Sequence, residues 1–152
     1  MTWTADWLVA SERLHLDALS QRVSVIDVLD NVVVMRVPCA LQGFALCARF
    51  GRADNWEDEG VIHVRLERDK GDGGWELVKH TEAAFGPMQP TAYAHVSFRV
   101  LRVWSGDSIV FRLRWRLGSN RWRKGPEHRI MVMCHPEGEA MSEQLDQLPP
   151  LG

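Results

Sequence analysis

Residues 108–117 read Ser-Ile-Val-Phe-Arg-Leu-Arg-Trp-Arg-Leu, so that Arg112, Arg114 and Arg116 alternate with Phe111, Leu113, Trp115 and Leu117. In an extended chain this spacing sets three guanidinium groups on one face, about 7 Å apart. Arg121, Trp122, Arg123 and Lys124 follow directly after the turn signal Gly118-Ser119-Asn120. Residues 99–129 hold nine of the eighteen Lys and Arg residues, opposed only by Asp107 and Glu127, a local balance of +7. The guanidinium fork matches carboxylate and phosphate geometry, and a ring such as Trp122 or Trp104 can stack on a base. The chemistry available is therefore anion recognition. The competing reading is structural: the same arginines pair across strands with Glu67, Glu76 or Glu82, and their stems cover apolar surface.

Other residues with chemical potential are less well arranged. Asp54, Glu57, Asp58 and Glu59 surround Trp56, but the segment lacks the Asp-x-Asp-x-Asp-Gly frame and the distant bidentate Glu of a calcium loop. It reads as a solvated loop, or as a contact that meets the basic strand of a neighbouring copy. His15, His63, His80, His95, His128 and His135 form neither His-x3-His nor His-Glu-x-x-His, so a zinc site would need distant strands, for example His63 with His95. Gly106-Asp107-Ser108-Ile109-Val110 lacks the second Gly of a nucleophile elbow, and Gly71-Asp72-Gly73-Gly74 joins two strands and is a turn, not a phosphate cradle. Cys47 sits within an apolar stretch and is expected to be buried and inert. Trp56, Trp75, Trp104 and Trp122 lie near turns, which admits sugar stacking, although a reducing setting makes an extracellular polysaccharide a poor target. No cofactor, metal or catalytic residue is implied.

These residues must be positioned by β-structure. Most of residues 14–135 has the two-residue period of half-buried strands: Ile62, Val64 and Leu66 oppose His63, Arg65 and Glu67, for example. Strands are expected over 23–35, 43–50, 61–68, 75–80, 95–104, 108–117, 121–124 and 129–134; an alternating run at 14–19, interrupted at 20–22, reads as a hairpin leading into the first of them, which bends or bulges at 27–31. The expectation is all-β: a single antiparallel β-sandwich of about eight strands, with short helical or irregular segments at the ends. Residues 1–13 form an N-terminal segment in this reading, with 5–14 permissive of a helix. Residues 14–135 form the sandwich, and 136–152 an acidic tail that is mobile or a short helix. On the 108–117 strand Trp115 must share the buried face with Phe111, Leu113 and Leu117, whereas Trp122 is expected at a sheet margin, partly exposed.

Composition agrees with one domain: 152 residues, 45% hydrophobic and 25% charged, with a net charge of −2 that favours neither polyanions nor anionic membranes. Seven Trp beside one Tyr imply that several tryptophans are structural. Cys39, Cys47 and Cys134 are odd in number and widely spaced, which predicts free thiols. The first residues carry neither a basic n-region nor a long apolar h-region, and no stretch is long and apolar enough to span a bilayer, which predicts a soluble cytoplasmic protein without membrane contact.

The run Leu14-His15-Leu16-Asp17-Ala18, a short polar turn, Ser24-Val25-Ile26-Asp27-Val28-Leu29-Asp30-Asn31-Val32, Pro38 and the strand at 44–50 together resemble a family of small uncharacterised bacterial β-sandwich proteins. Gly106-Asp107-Ser108-Ile109-Val110-Phe111-Arg112-Leu113 is similar to the family's Pro-Gly-x-Tyr opening of a final strand. Asp27 replaces a usual Gly, and Ser108-Ile109 replaces an aromatic position. The resemblance spans residues 14–113 and implies the sandwich fold and a bacterial source, with no activity to transfer.

The function expected is that of a non-enzymatic binding or assembly module. It contacts an acidic protein partner, or another copy of itself, through Arg112, Arg114, Arg116, Arg121, Trp122, Arg123 and Lys124. Single-stranded nucleic-acid binding through the same arginines is the alternative, and a hydrolytic enzyme ranks behind both.

Overall fold

The computed structural model describes residues 3–17, 23–35, 37–103 and 108–134. Of these, 77% lie in strands and none in a helix. The strands are β1 (Trp3–Leu16), β2 (Val23–Val28), β3 (Asn31–Val34), β4 (Cys39–Arg52), β5 (Gly60–Asp69), β6 (Trp75–Phe85), β7 (Thr91–Val103), β8 (Ser108–Leu117) and β9 (Arg123–Cys134). They form two sheets, ordered β2-β1-β4-β7 and β3-β9-β8-β5-β6. Trp104, the 105–107 turn and the acidic 136–152 tail lie outside the described residues.

Alternation builds the core as the periodicity predicts. Ile62, Val64 and Leu66 of β5 and Phe111, Leu113 and Trp115 of β8 are buried, facing the other sheet. Phe44 and Phe50 of β4 meet them across the gap, with ring centroids 6.2 Å from Phe111 and 5.5 Å from Trp115. Opposite-facing residues of β5 and β8 therefore lie on the outer face of the five-stranded sheet, with β8 at its centre.

Three expectations need correction. Residues 5–14 are not helical: they belong to β1, a central strand paired with both β2 and β4, with Leu8, Ala10 and Ser11 buried. Ala, Leu, Glu and Arg favour a helix in isolation, but pairing on both edges overrides a preference worth only tenths of a kcal/mol per residue. Secondly, 121–124 and 129–134 are not separate strands. β9 runs continuously from Arg123, and the register irregularity opposite Arg112 and Arg114 absorbs Gly125 and Pro126. A Cβ on Gly125 would stand 2.9 Å from the Leu113 carbonyl oxygen, so the close approach at this bulge requires glycine. Thirdly, pairing is not wholly antiparallel, since β3 runs parallel to β9.

The expected bend at 27–31 is where the chain changes sheets, from β2 to β3. Asp27 adopts φ 57°, a left-handed conformation in which Gly is at ease and Asp is tolerated. The crossing is held by Leu29 N–H donating to the Ala10 carbonyl at 2.8 Å and Met131 N–H donating to the Asp30 carbonyl at 2.8 Å. The buried His128 ring nitrogen lies 2.7 Å from the Leu29 carbonyl oxygen. No helix among the described residues is long and apolar enough to cross a membrane.

Candidate functional site

Register places basic side chains in a row across four strands of the five-stranded sheet. His80 of β6 is opposite Arg65 of β5, Arg65 is opposite Arg114 of β8, and Arg114 is opposite Lys124 of β9. All four belong to the outer face, because their neighbours Val64, Leu66, Leu113 and Trp115 point into the core. Like charges directly opposite one another on adjacent strands are destabilising, by about 0.2–1 kcal/mol per pair. No carboxylate stands in this row to offset that cost. The carboxylate nearest to Arg65 is Glu67, at 3.8 Å, and its other oxygen is already committed to Arg112. Arg114 makes no ion pair with any described residue, and the Nε atoms of Arg65 and Arg116 are shielded without a hydrogen-bond partner.

The flanking rows are different. On one side Arg112 lies between Glu67 and Glu127, its Nε donating to Glu67 Oε1 at 2.9 Å, with its guanidinium 4.1 Å from the Trp75 ring centroid. Glu67 is only 5% exposed, so this is a partly buried, internally satisfied pair. On the other side Arg116 is opposite His63, which is opposite Glu82, with His63 Nδ1 3.2 Å from Glu82 Oε1. The Trp122 ring carries two guanidinium groups, Arg116 at 4.6 Å and Arg65 at 5.6 Å from its centroid, and meets the His80 ring edge-on at 6.3 Å. Trp122 thus seats Arg65 of the row together with Arg116 beside it.

The residues singled out in the sequence divide accordingly. Arg114 and Lys124 stand in the row, with Arg116 and Trp122 beside it. Arg112 is on the same face but engaged with Glu67, as the structural reading of the arginines anticipated for that residue. Arg123 leaves this face: it alternates with Lys124 and lies over the Trp115 ring at 5.6 Å. Arg121 is exposed in the connection before β9. Trp115 is buried and Trp122 partly exposed, as expected. Arg65 and His80 were missed as site residues. Their placement on a polar face was visible in the alternation of 62–67, but only the β5–β8 pairing sets Arg65 against Arg114.

A second element absent from the sequence reading is Arg52, only 6% exposed at the end of β4. Its guanidinium donates to five backbone carbonyls: Gln89 at 2.8 Å, Asn55 at 3.0 Å, Asp58 at 2.9 Å, Trp56 at 3.2 Å and Gly86 at 2.9 Å. The Trp3 and Phe85 rings pack around it, 5.1 Å and 5.0 Å away. Arg52 therefore fastens the acidic 54–59 loop to the 86–89 segment. Loop carbonyls that a calcium ion would need are turned onto a guanidinium instead.

Other sequence candidates are dispersed. His63 and His95 sit in different sheets, and His63 stacks on His80 at 6.0 Å. The three thiols are free. Burial pushes the Cys47 thiol up to about 12, which suppresses nucleophilic thiolate, and Cys39 is raised by burial and by the neighbouring Cys134.

No protein-family model matches the chain and no curated protein is similar to it, so the family resemblance rests on its quoted residues. Among solved structures, the chain is similar to the β-glucosidase of Listeria innocua, in its complexes with gluconolactone and with glucose, at 10% identity and a TM-score of 0.37. Each match covers 86% of this chain, which spans 17% of the length of that enzyme.

Proposed function

We propose that the chain is a non-enzymatic binding module of the bacterial cytoplasm that docks an acidic protein surface on the outer face of its five-stranded sheet. The observation that carries this reading is the Arg65–Arg114–Lys124 row, extended by His80, in which like charges are aligned at a cost that only the 3.8 Å contact of Arg65 with Glu67 offsets. An external carboxylate array removes that repulsion, so docking gains more than the same contact made to an internally neutralised surface. Arg65 and Arg116, already seated over Trp122, lose less side-chain freedom on binding than free arginines do. The same geometry disfavours single-stranded nucleic acid, since a stacking base must displace a guanidinium from the Trp122 ring.

Fluorescence titration with a glutamate-rich peptide and an oligothymidylate of equal charge tests the reading. The expected result is peptide binding that weakens with salt and falls about tenfold or more in the Arg65→Ala/Arg114→Ala variant. Peptide affinity unchanged in that variant, or tighter binding of the oligothymidylate, overturns the proposal.

A further inference from the structure

We infer that the acidic surface seated on this row is the 54–59 loop of a second copy of the chain, an inference that rests on the docking reading above. Asp54, Glu57, Asp58 and Glu59 are all exposed, and none forms an ion pair with a described residue. Each chain therefore carries an anionic knob whose four carboxylates surround a single buried guanidinium, that of Arg52, and a cationic row in which Arg114 has no carboxylate partner among the described residues.

The loop cannot satisfy its own row. It is tied at the sandwich end by the five Arg52 bonds and by Met88 N–H donating to the Trp56 carbonyl. Arg65 lies five residues beyond Gly60 along an extended strand, about 17 Å away. The charges on one molecule are thus left to be neutralised by another.

Preorganisation favours this occupant over a flexible acidic segment. A loop whose backbone carbonyls are already bound holds its shape before contact, so association does not have to order it. Trp56, 38% exposed among the four carboxylates, adds an apolar anchor of the kind that concentrates binding energy at interfaces. The row it would meet is bordered by Trp122 and by Leu77, itself 51% exposed. Charge and apolar surface therefore alternate on both sides of the proposed contact.

A charge-exchange experiment on the full chain, read by sedimentation velocity, tests the inference. Wild-type protein is expected to self-associate with increasing concentration at about 0.05 M salt and to weaken about tenfold or more at about 0.5 M. The loop variant Glu57→Lys/Glu59→Lys cancels the charge of the loop and leaves the row basic, and the face variant Arg65→Glu/Arg114→Glu turns the row acidic and leaves the loop acidic. Each alone is expected to stay monomeric, whereas an equimolar mixture restores association, because each variant then presents the complement of the other. The recovery also shows that both variants are folded.

A mixture that associates no better than its components, or a loop variant that self-associates like wild type, overturns the second-copy contact. The glutamate-rich peptide separates this failure from that of the docking reading. A monomeric wild type that still binds the peptide removes only the second-copy inference, and one that does neither removes both.

Discussion

Replacing Arg52 by Met tests the account of the acidic loop most directly. Methionine keeps much of the apolar stem between Trp3 and Phe85 but deletes all five donations to the carbonyls of Asn55, Trp56, Asp58, Gly86 and Gln89. At about 1.5–3 kcal/mol for a hydrogen bond from a charged donor, the gross loss is roughly 7–15 kcal/mol. Two effects reduce it. Removing the guanidinium also removes the several kcal/mol needed to bury it, and the carbonyls of the exposed loop can turn to water by local opening. The net cost is therefore about 3 kcal/mol, which for a chain of this size lowers the melting temperature by about 6–12 °C. Arg52→Lys should fall between the two, because an ammonium has three protons for five acceptors. Differential scanning calorimetry gives the stability change, and hydrogen exchange should show faster opening confined to residues 53–59 and 86–90. A melting shift under about 2 °C with unchanged exchange in those segments would show that Arg52 does not hold the loop.

Two further outcomes follow from the core. Trp115→Ala should cost about 3–5 kcal/mol, because the ring is buried against Phe50, whereas Trp122→Ala, partly exposed and packed by guanidinium groups, should cost under about 2 kcal/mol. Thermal melts in the reverse order would invalidate the face assignment of β8. The Cys47 thiol ionises near 9.0 when unfolded but only at about 12 when folded, so between these values the unfolded chain releases a proton that the native chain keeps. Stability conferred by the protonated thiol is thus complete below the lower value and falls as pH rises, by about 3 kcal/mol at pH 11. Urea denaturation from about pH 9 to about pH 11 should show a steeper loss for wild type than for Cys47→Ala, and parallel losses would contradict this burial effect.

Within β5 and β8, the sequence by itself settled which residues face inward. The alternation of Phe111, Leu113 and Trp115 with three arginines determines both the core face of β8 and its polar face, because a two-residue period allows only one assignment once one side is buried. The bend at 27–31 was legible for a similar reason, since a break in phase requires the chain to leave one ladder. Intrinsic preference misled at β1, where a helix-permissive composition is held extended by partners on both edges. Those partners lie far along the chain, beyond the reach of local patterning. The candidate site was legible only in part. Arg114 and Arg116 announced a polar face, but whether an arginine on it is neutralised depends on which strand lies alongside and in what register. Pairing with β5 placed Glu67 beside Arg112 and Arg65 beside Arg114, giving one row in which an arginine has carboxylates on both sides and a next row that is cationic. The role of Arg52 likewise came from tertiary structure alone. Its five acceptors are backbone carbonyls of two separate segments, and a carbonyl is present at every residue, so no side-chain pattern marks the ones that a buried guanidinium will find.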